Sequence, residues 1–227
     1  MHVNHVLNAC RSLSSILTVK RASTPVYSPL GRMKRVAIFG NAGGGKSTLA
    51  HELAAITGLP LYVIDKIKFR PGGSEVPHEE YLQLHSVLVR HDEWIIDGFE
   101  SIKLAWERFE AADTLVHVDL PLAVHALWVT KRLVKGLFVD PPGWPKGSPV
   151  ISSSIQSYRV LWPCHKRLTP RYRSYVSQVA QHKRVFHLRS RKELRSFLQA
   201  IKDEYAHFRA SATQPLVAAD APQASRR

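Results

Sequence analysis

Residues 40–48 read Gly-Asn-Ala-Gly-Gly-Gly-Lys-Ser-Thr and follow the apolar run Val36-Ala37-Ile38-Phe39. This G-x-x-x-x-G-K-[ST] spacing constrains the fold more than any other feature, because the loop needs a strand to deliver the chain and a helix to receive it. Glycines let the backbone turn tightly enough for successive N–H groups to point inward at a phosphate. The following helix adds the partial positive charge of its N-terminus. Both flanks are present, since Leu49, Leu53 and Ile56 fall on one helical face and Gly58 supplies a stop. Gly40, Asn41, Ala42, Gly43, Gly44, Gly45, Lys46, Ser47 and Thr48 are therefore expected to cradle the phosphates of a nucleoside triphosphate. Lys46 would bridge the β- and γ-phosphates, and the Ser47 hydroxyl would ligate Mg²⁺.

Further apolar runs alternate with helical periodicities. Residues 61–64, 94–96, 115–118 and 185–188 read as buried strands beside the one before the loop. Helices are expected around Tyr81, Leu84 and Leu88, over 101–111 and 121–135, and through Leu194, Phe197, Leu198 and Ile201. The alternation predicts one α/β domain with a central five-stranded, mainly parallel sheet and helices on both faces. Residues 136–170 break the pattern with six prolines, three glycines and a Ser triplet, and are expected to form a mobile, basic lid insert at about 134–172. Trp144 and Trp162 fall in it, placed either for packing or for base stacking.

In open parallel sheets ligands bind at the carboxyl ends of the strands. Asp65 follows the second run, Asp97 the third and Asp119 the fourth. An acid there holds Mg²⁺ or an acceptor hydroxyl, or else caps a helix. Asp97-Gly98 is the better metal-side candidate, whereas Asp119 stands directly before the helix beginning at Leu120-Pro121. Arg108, Lys131 and Arg132 lie on helices flanking the fourth strand. A guanidinium holds two phosphate oxygens at once, although a lone helix arginine also suits a solvated face.

The net charge is +14, and residues 159–195 hold eleven Lys or Arg against one acid, Glu193. Such a stretch suits a solvated basic surface, a lid closing over triphosphate, or a nucleic-acid-binding face. Two cysteines without a C-x-x-C pair indicate neither a disulfide framework nor a thiolate zinc site, and a cytosol-like compartment is expected. No apolar run reaches the ~18 residues of a membrane span. Residues 1–32 lack acids and carry five serines, as a mitochondrial-type transit peptide does. The competing expectation is a disordered extension upstream of Met33, where a compact domain would begin. Residues 209–227 are expected to be a disordered tail, leaving 33–208 as the domain.

Taken in order, the loop from Val36 to Ala50, Leu59-Pro60-Leu61 leading to Asp65, Trp94-Ile95-Ile96-Asp97-Gly98, Ala112-Asp113-Thr114 and Val118-Asp119-Leu120-Pro121 resemble a known family. It is that of the adenylate-kinase-like proteins often labelled DNA topology modulation proteins, within the nucleoside-monophosphate-kinase-like superfamily. The resemblance runs from about Met33 to Ala206. It implies a phosphate-loop kinase fold with ATP and Mg²⁺ as cofactors. Lys46 and Ser47 would hold ATP and Mg²⁺, Asp65 would face the acceptor, and Asp97 would support Mg²⁺ or acceptor. Arg132 would clamp the moving phosphoryl group, and Ser190 and Arg191 would lie near adenine. Where adenylate kinases carry Pro-Arg after Asp-Gly-Phe to hold the acceptor's phosphate, Glu100-Ser101 follow Phe99 here. An acid beside that phosphate repels it, so Arg108 would substitute, or the acceptor would be another small hydroxylated molecule. The leading expectation is an ATP-dependent kinase acting on a nucleotide or similar small acceptor. The alternative is an ATP-binding regulator associated with DNA through its basic second half.

Overall fold

A computed structural model describes residues 32–71, 74–136, 138 and 150–212. Strands β1 (Arg35–Gly40), β2 (Leu61–Val63), β3 (Trp94–Asp97), β4 (Thr114–Val118) and β5 (Arg184–Leu188) form one sheet in the order β2-β3-β1-β4-β5, with every pairing parallel. β3 and β4 are buried along their whole length, which is why they appear in the sequence as unbroken apolar runs rather than alternating ones. The connecting helices are α1 (Lys46–Thr57), α2 (Ile64–Lys68), α3 (His78–Arg90), α4 (Ile102–Ala111), α5 (Leu122–Gly136), α6 (Val150–Val179) and α7 (Arg191–Ala212).

Residues alternate between two cores. Val36 and Ile38 face α1 and α7, meeting Leu49, Leu53, Phe197 and Ile201, while Ala37 and Phe39 face α4 and α6, meeting Phe109, Leu168 and Tyr172. Burying each such side chain contributes about 1.5–3 kcal/mol. β1 lies at the centre, and the chain passes to β2 and β3 on one side before crossing to β4 and β5 on the other. The crevice at the carboxyl end of β1 is therefore the switch point where ligands bind in open α/β sheets. This order, with the glycine-rich loop between the central strand and the first helix, gives an α/β fold with a five-stranded parallel sheet.

Gly40 shows why the loop must begin on glycine. Its φ is 143°, and a Cβ there would lie 2.1 Å from the Val118 carbonyl oxygen of the neighbouring strand. At the far end of α1, Gly58 takes φ 76° and donates its N–H to the Ala54 carbonyl, closing the helix as the sequence indicated.

Three expectations change. From Val150 onward the expected irregular insert is instead a 30-residue helix that accommodates Pro163 and Pro170. Its stripe Leu161, Cys164, Leu168, Tyr172 and Val176 is buried against the sheet, and this burial outweighs the two lost backbone hydrogen bonds. Residues 209–212, expected in the tail, are helical instead, because α7 continues to Ala212 and Arg209 donates to the Ile56 carbonyl at 2.7 Å. On α3, Leu84 is exposed, and the inward residues are Tyr81 and His85. Residues 1–31, Trp144 and the tail beyond Ala212 lie outside the described residues. Among those described, no helix is long and apolar enough to cross a membrane.

Candidate active site

The phosphate loop is tied down from inside. Asn41 is buried, donating its amide to the Leu161 carbonyl of α6 at 2.9 Å and accepting the Ala42 N–H at 2.8 Å. Lys46 Nζ donates to the Asn41 carbonyl at 2.8 Å. On the outer side α5 lies flush against the glycines. Positions for a Cβ on Gly43, Gly44 and Gly45 fall 2.5 Å from Val129, 2.9 Å from His125 and 2.5 Å from the Trp128 ring. The sequence singled out none of these three residues. Their i, i+3, i+4 spacing marks a helical face, but nothing in it says that the face meets a loop.

Two acids arrive from neighbouring strand ends. The Ser47 hydroxyl donates to Asp97 Oδ2 at 2.6 Å, and the buried Oδ1 of Asp97 has no hydrogen-bond partner. Burial raises the Asp97 pKa above the ordinary carboxylate value, against the opposing charge of Lys46 and the Ser47 hydrogen bond. Asp65, in the first turn of α2, is pushed up to about 6 by burial and then by the charge of Asp97, while Lys46, Arg132 and Lys68 oppose the shift. Burial also lowers the Lys46 pKa, and Asp97 and Asp65 counter it. Lys46, Asp65, Asp97 and Arg132 thus feel one another within one poorly solvated crevice.

Arg132 projects from α5 and donates to Ser157 Oγ of α6 at 2.6 Å. Arg108 is only 2% exposed and donates to the Gly98 carbonyl at 3.2 Å, so it reaches the crevice through the backbone that follows Asp97. Glu100 is buried against Lys68 at 3.5 Å, so its charge is met inside the protein rather than turned toward an acceptor. Arg191 is exposed, its guanidinium 5.5 Å from the centre of the Trp128 ring at the mouth of the loop. Trp162 is 61% exposed on α6.

Asp119 belongs to a different arrangement. It accepts from Arg173 Nε at 2.6 Å and Nη2 at 2.9 Å and from His187 Nε2 at 2.7 Å. Burial alone would raise its pKa, but the hydrogen bonds from His187 and Arg173 hold it well below the carboxylate range. His117, Asp119 and His187 bring metal-ligating atoms within 4.8 Å of one another, yet both Asp119 oxygens are already engaged. Asp119 latches α6 to the sheet. Part of the basic stretch is structural in the same way, since Lys183 donates to the carbonyls of Phe109 and Ala112 and Arg184 pairs with Glu204.

No family model and no curated protein matches the chain. Solved structures similar to it include a sugar kinase from Janibacter sp. HTCC2649, at 16% identity and TM-score 0.38, covering 78% of this chain and 94% of that one. Shikimate kinase from Acinetobacter baumannii in complex with shikimate is 15% identical at TM-score 0.43, covering 81% and 96%. Deoxyadenosine kinase from M. mycoides, with products dCMP and dCDP bound, is 11% identical at TM-score 0.40, covering 76% and 98%.

Proposed function

We propose that this chain is an ATP- and Mg²⁺-dependent kinase that transfers the γ-phosphoryl group to a nucleotide or a similar small hydroxylated acceptor. The observation that carries this is the contact between Ser47 Oγ and Asp97 Oδ2, made beside Lys46 at the head of the phosphate loop. An unpartnered buried carboxylate oxygen next to a serine hydroxyl is an oxygen-only donor set, which suits Mg²⁺. Ser47 and Asp97 would hold that ion, which when bound would neutralise phosphate charge. Gly40 to Thr48 would cradle the phosphates, and Lys46 would exchange the Asn41 carbonyl for phosphate oxygens. Arg191, beside Trp128, would lie near the nucleobase.

Asp65 would accept a hydrogen bond from the acceptor hydroxyl, and its raised pKa suits a group that receives a proton near neutrality. Arg132 reaches the same crevice and would neutralise charge on the moving phosphoryl group. Arg108 would serve the acceptor side by fixing the Gly98 carbonyl. Catalysis by these groups is positioning and charge neutralisation, with no covalent intermediate. Because Lys68 meets the charge of Glu100, an acceptor phosphate would not face a bare acid there.

The test is to incubate the full chain with ATP and Mg²⁺ against a panel of nucleoside monophosphates and small hydroxylated metabolites, recording ADP and phosphorylated product together. Acceptor-dependent ADP with a matching product is expected. Lys46→Ala should abolish transfer while its circular dichroism stays native, and wild-type turnover in that variant would sink the assignment.

A further inference from the structure

We propose that His125 is a positioning residue for the phosphate loop, fixing the Ala42–Gly43 peptide so that the Gly43 N–H turns into the cradle. The inference rests on the nucleotide-binding reading above. His125 is buried on α5 with Nδ1 2.8 Å from the Ala42 carbonyl oxygen, which can only accept, so this bond requires the ring proton on Nδ1. A trans peptide is planar, so the carbonyl of one residue and the N–H of the next point in opposite directions. With the Ala42 oxygen turned outward onto α5, the Gly43 N–H points away from α5, toward the side on which a phosphate would lie. A flipped peptide would present a carbonyl oxygen to that anion instead.

Glycine makes such a flip cheap, because it tolerates both signs of φ. Gly43, at φ 66°, is a residue with that freedom. The ring also fills the space beside Gly44, and Val129 and Trp128 close the same face against Gly43 and Gly45. Burial and then the charge of Lys46 hold the ring pKa down to about 4, so at neutral pH it carries one ring proton, for which the Ala42 carbonyl at Nδ1 competes with a backbone hydrogen bond to Leu120; in the proposed arrangement Ala42 holds it. Two turns further along α5 stands Arg132. One helix therefore orients the loop and delivers a cation to the same crevice.

The experiment measures Mg²⁺-ADP affinity by calorimetry on the full chain for wild type, His125→Asn and His125→Gln, with thermal midpoints recorded alongside. Asn keeps an N–H near the Nδ1 position, whereas Gln carries it one methylene further out. His125→Gln is expected to bind ADP about tenfold or more weakly and His125→Asn within about threefold of wild type, as a single lost hydrogen bond implies. A merely structural role would lower both midpoints without separating the two affinities. Equal affinities in the two variants overturn the proposal. So does an Nε2–H tautomer for His125 in the long-range ¹⁵N–¹H spectrum of the wild type, a measurement that needs no variant to fold. Failure of wild type to bind ADP would overturn the nucleotide reading itself, before any variant is compared.

Discussion

Asp65→Asn should make the protein more stable at pH 7.5. Burial and the neighbouring Asp97 raise the Asp65 pKa from 3.8 to about 6 in the folded protein. A folded-state pKa above the unfolded one means that the native chain holds the proton more tightly. The carboxylate therefore costs stability above pH 6, and that stability is recovered as pH falls from 6 toward 3.8. Two units correspond to about 3 kcal/mol at 1.36 kcal/mol per unit. Lys46 and Arg132 lose a counter-charge in the variant, so a gain of about 1–3 kcal/mol is expected. For a domain of this size that is roughly 3–9 °C in midpoint. Differential scanning calorimetry of the full chain at pH 7.5, 6 and 4.5 reads it. Asp97 titrates in the same direction in both proteins, so the difference between them isolates Asp65 up to its coupling with Asp97. The gain should be largest at pH 7.5, still mostly present at pH 6 and down to about a third of its full size at pH 4.5. A variant less stable than wild type at pH 7.5, or a gain that does not change with pH, would refute the reasoning and show that Lys46 and Arg132 more than compensate the buried charge.

Two further substitutions probe the frame around the site. Gly40→Ala forces a Cβ to 2.1 Å from the Val118 oxygen at a φ of 143°, and should cost about 3 kcal/mol or more, seen as a large drop in midpoint or as insoluble chain. Arg209→Ala removes the 2.7 Å bond to the Ile56 carbonyl at the end of α1 and should cost about 1 kcal/mol by denaturant titration, while ADP affinity stays at the wild-type value.

The sheet was legible because strands buried on both faces leave unbroken apolar runs. Trp94-Ile95-Ile96 and Leu115-Val116-His117-Val118 sit where those runs placed them. Strand ends then pointed to Asp65 and Asp97, and the folded chain brings both into the crevice that holds Lys46. The helix α6 was missed for a physical reason. Prolines and a Ser triplet are strong local signals against a helix, while Leu161, Cys164, Leu168, Tyr172 and Val176 stabilise it only once the sheet is there to cover them. Leu84 misled in the converse way. Tyr81 and His85 are drawn inward by the buried Arg108 and Glu100, a polar lining that periodicity cannot register. His125 was one of twelve scattered histidines, and the crossing of α5 over the loop is what sets its ring against Ala42.

The groups that face the proposed ligand are held by one another. Lys46 rests on the Asn41 carbonyl, Ser47 on Asp97 and Arg132 on Ser157, so phosphate binding exchanges hydrogen bonds rather than creating them from solvent. The lysine and arginine bonds pair a cation with a neutral oxygen, and a phosphate would replace that oxygen with an anionic one, so the exchange favours the ligand. The acids are the opposite case. Burial already raises the pKa of both Asp65 and Asp97, and one Asp97 oxygen lacks a partner. Cations lost from this crevice leave those charges worse, whereas a divalent ion at Ser47 and Asp97 would relieve them. The stability that Asp65→Asn is expected to gain and the affinity of this crevice for a divalent ion therefore have one cause, two carboxylates kept where water cannot solvate them.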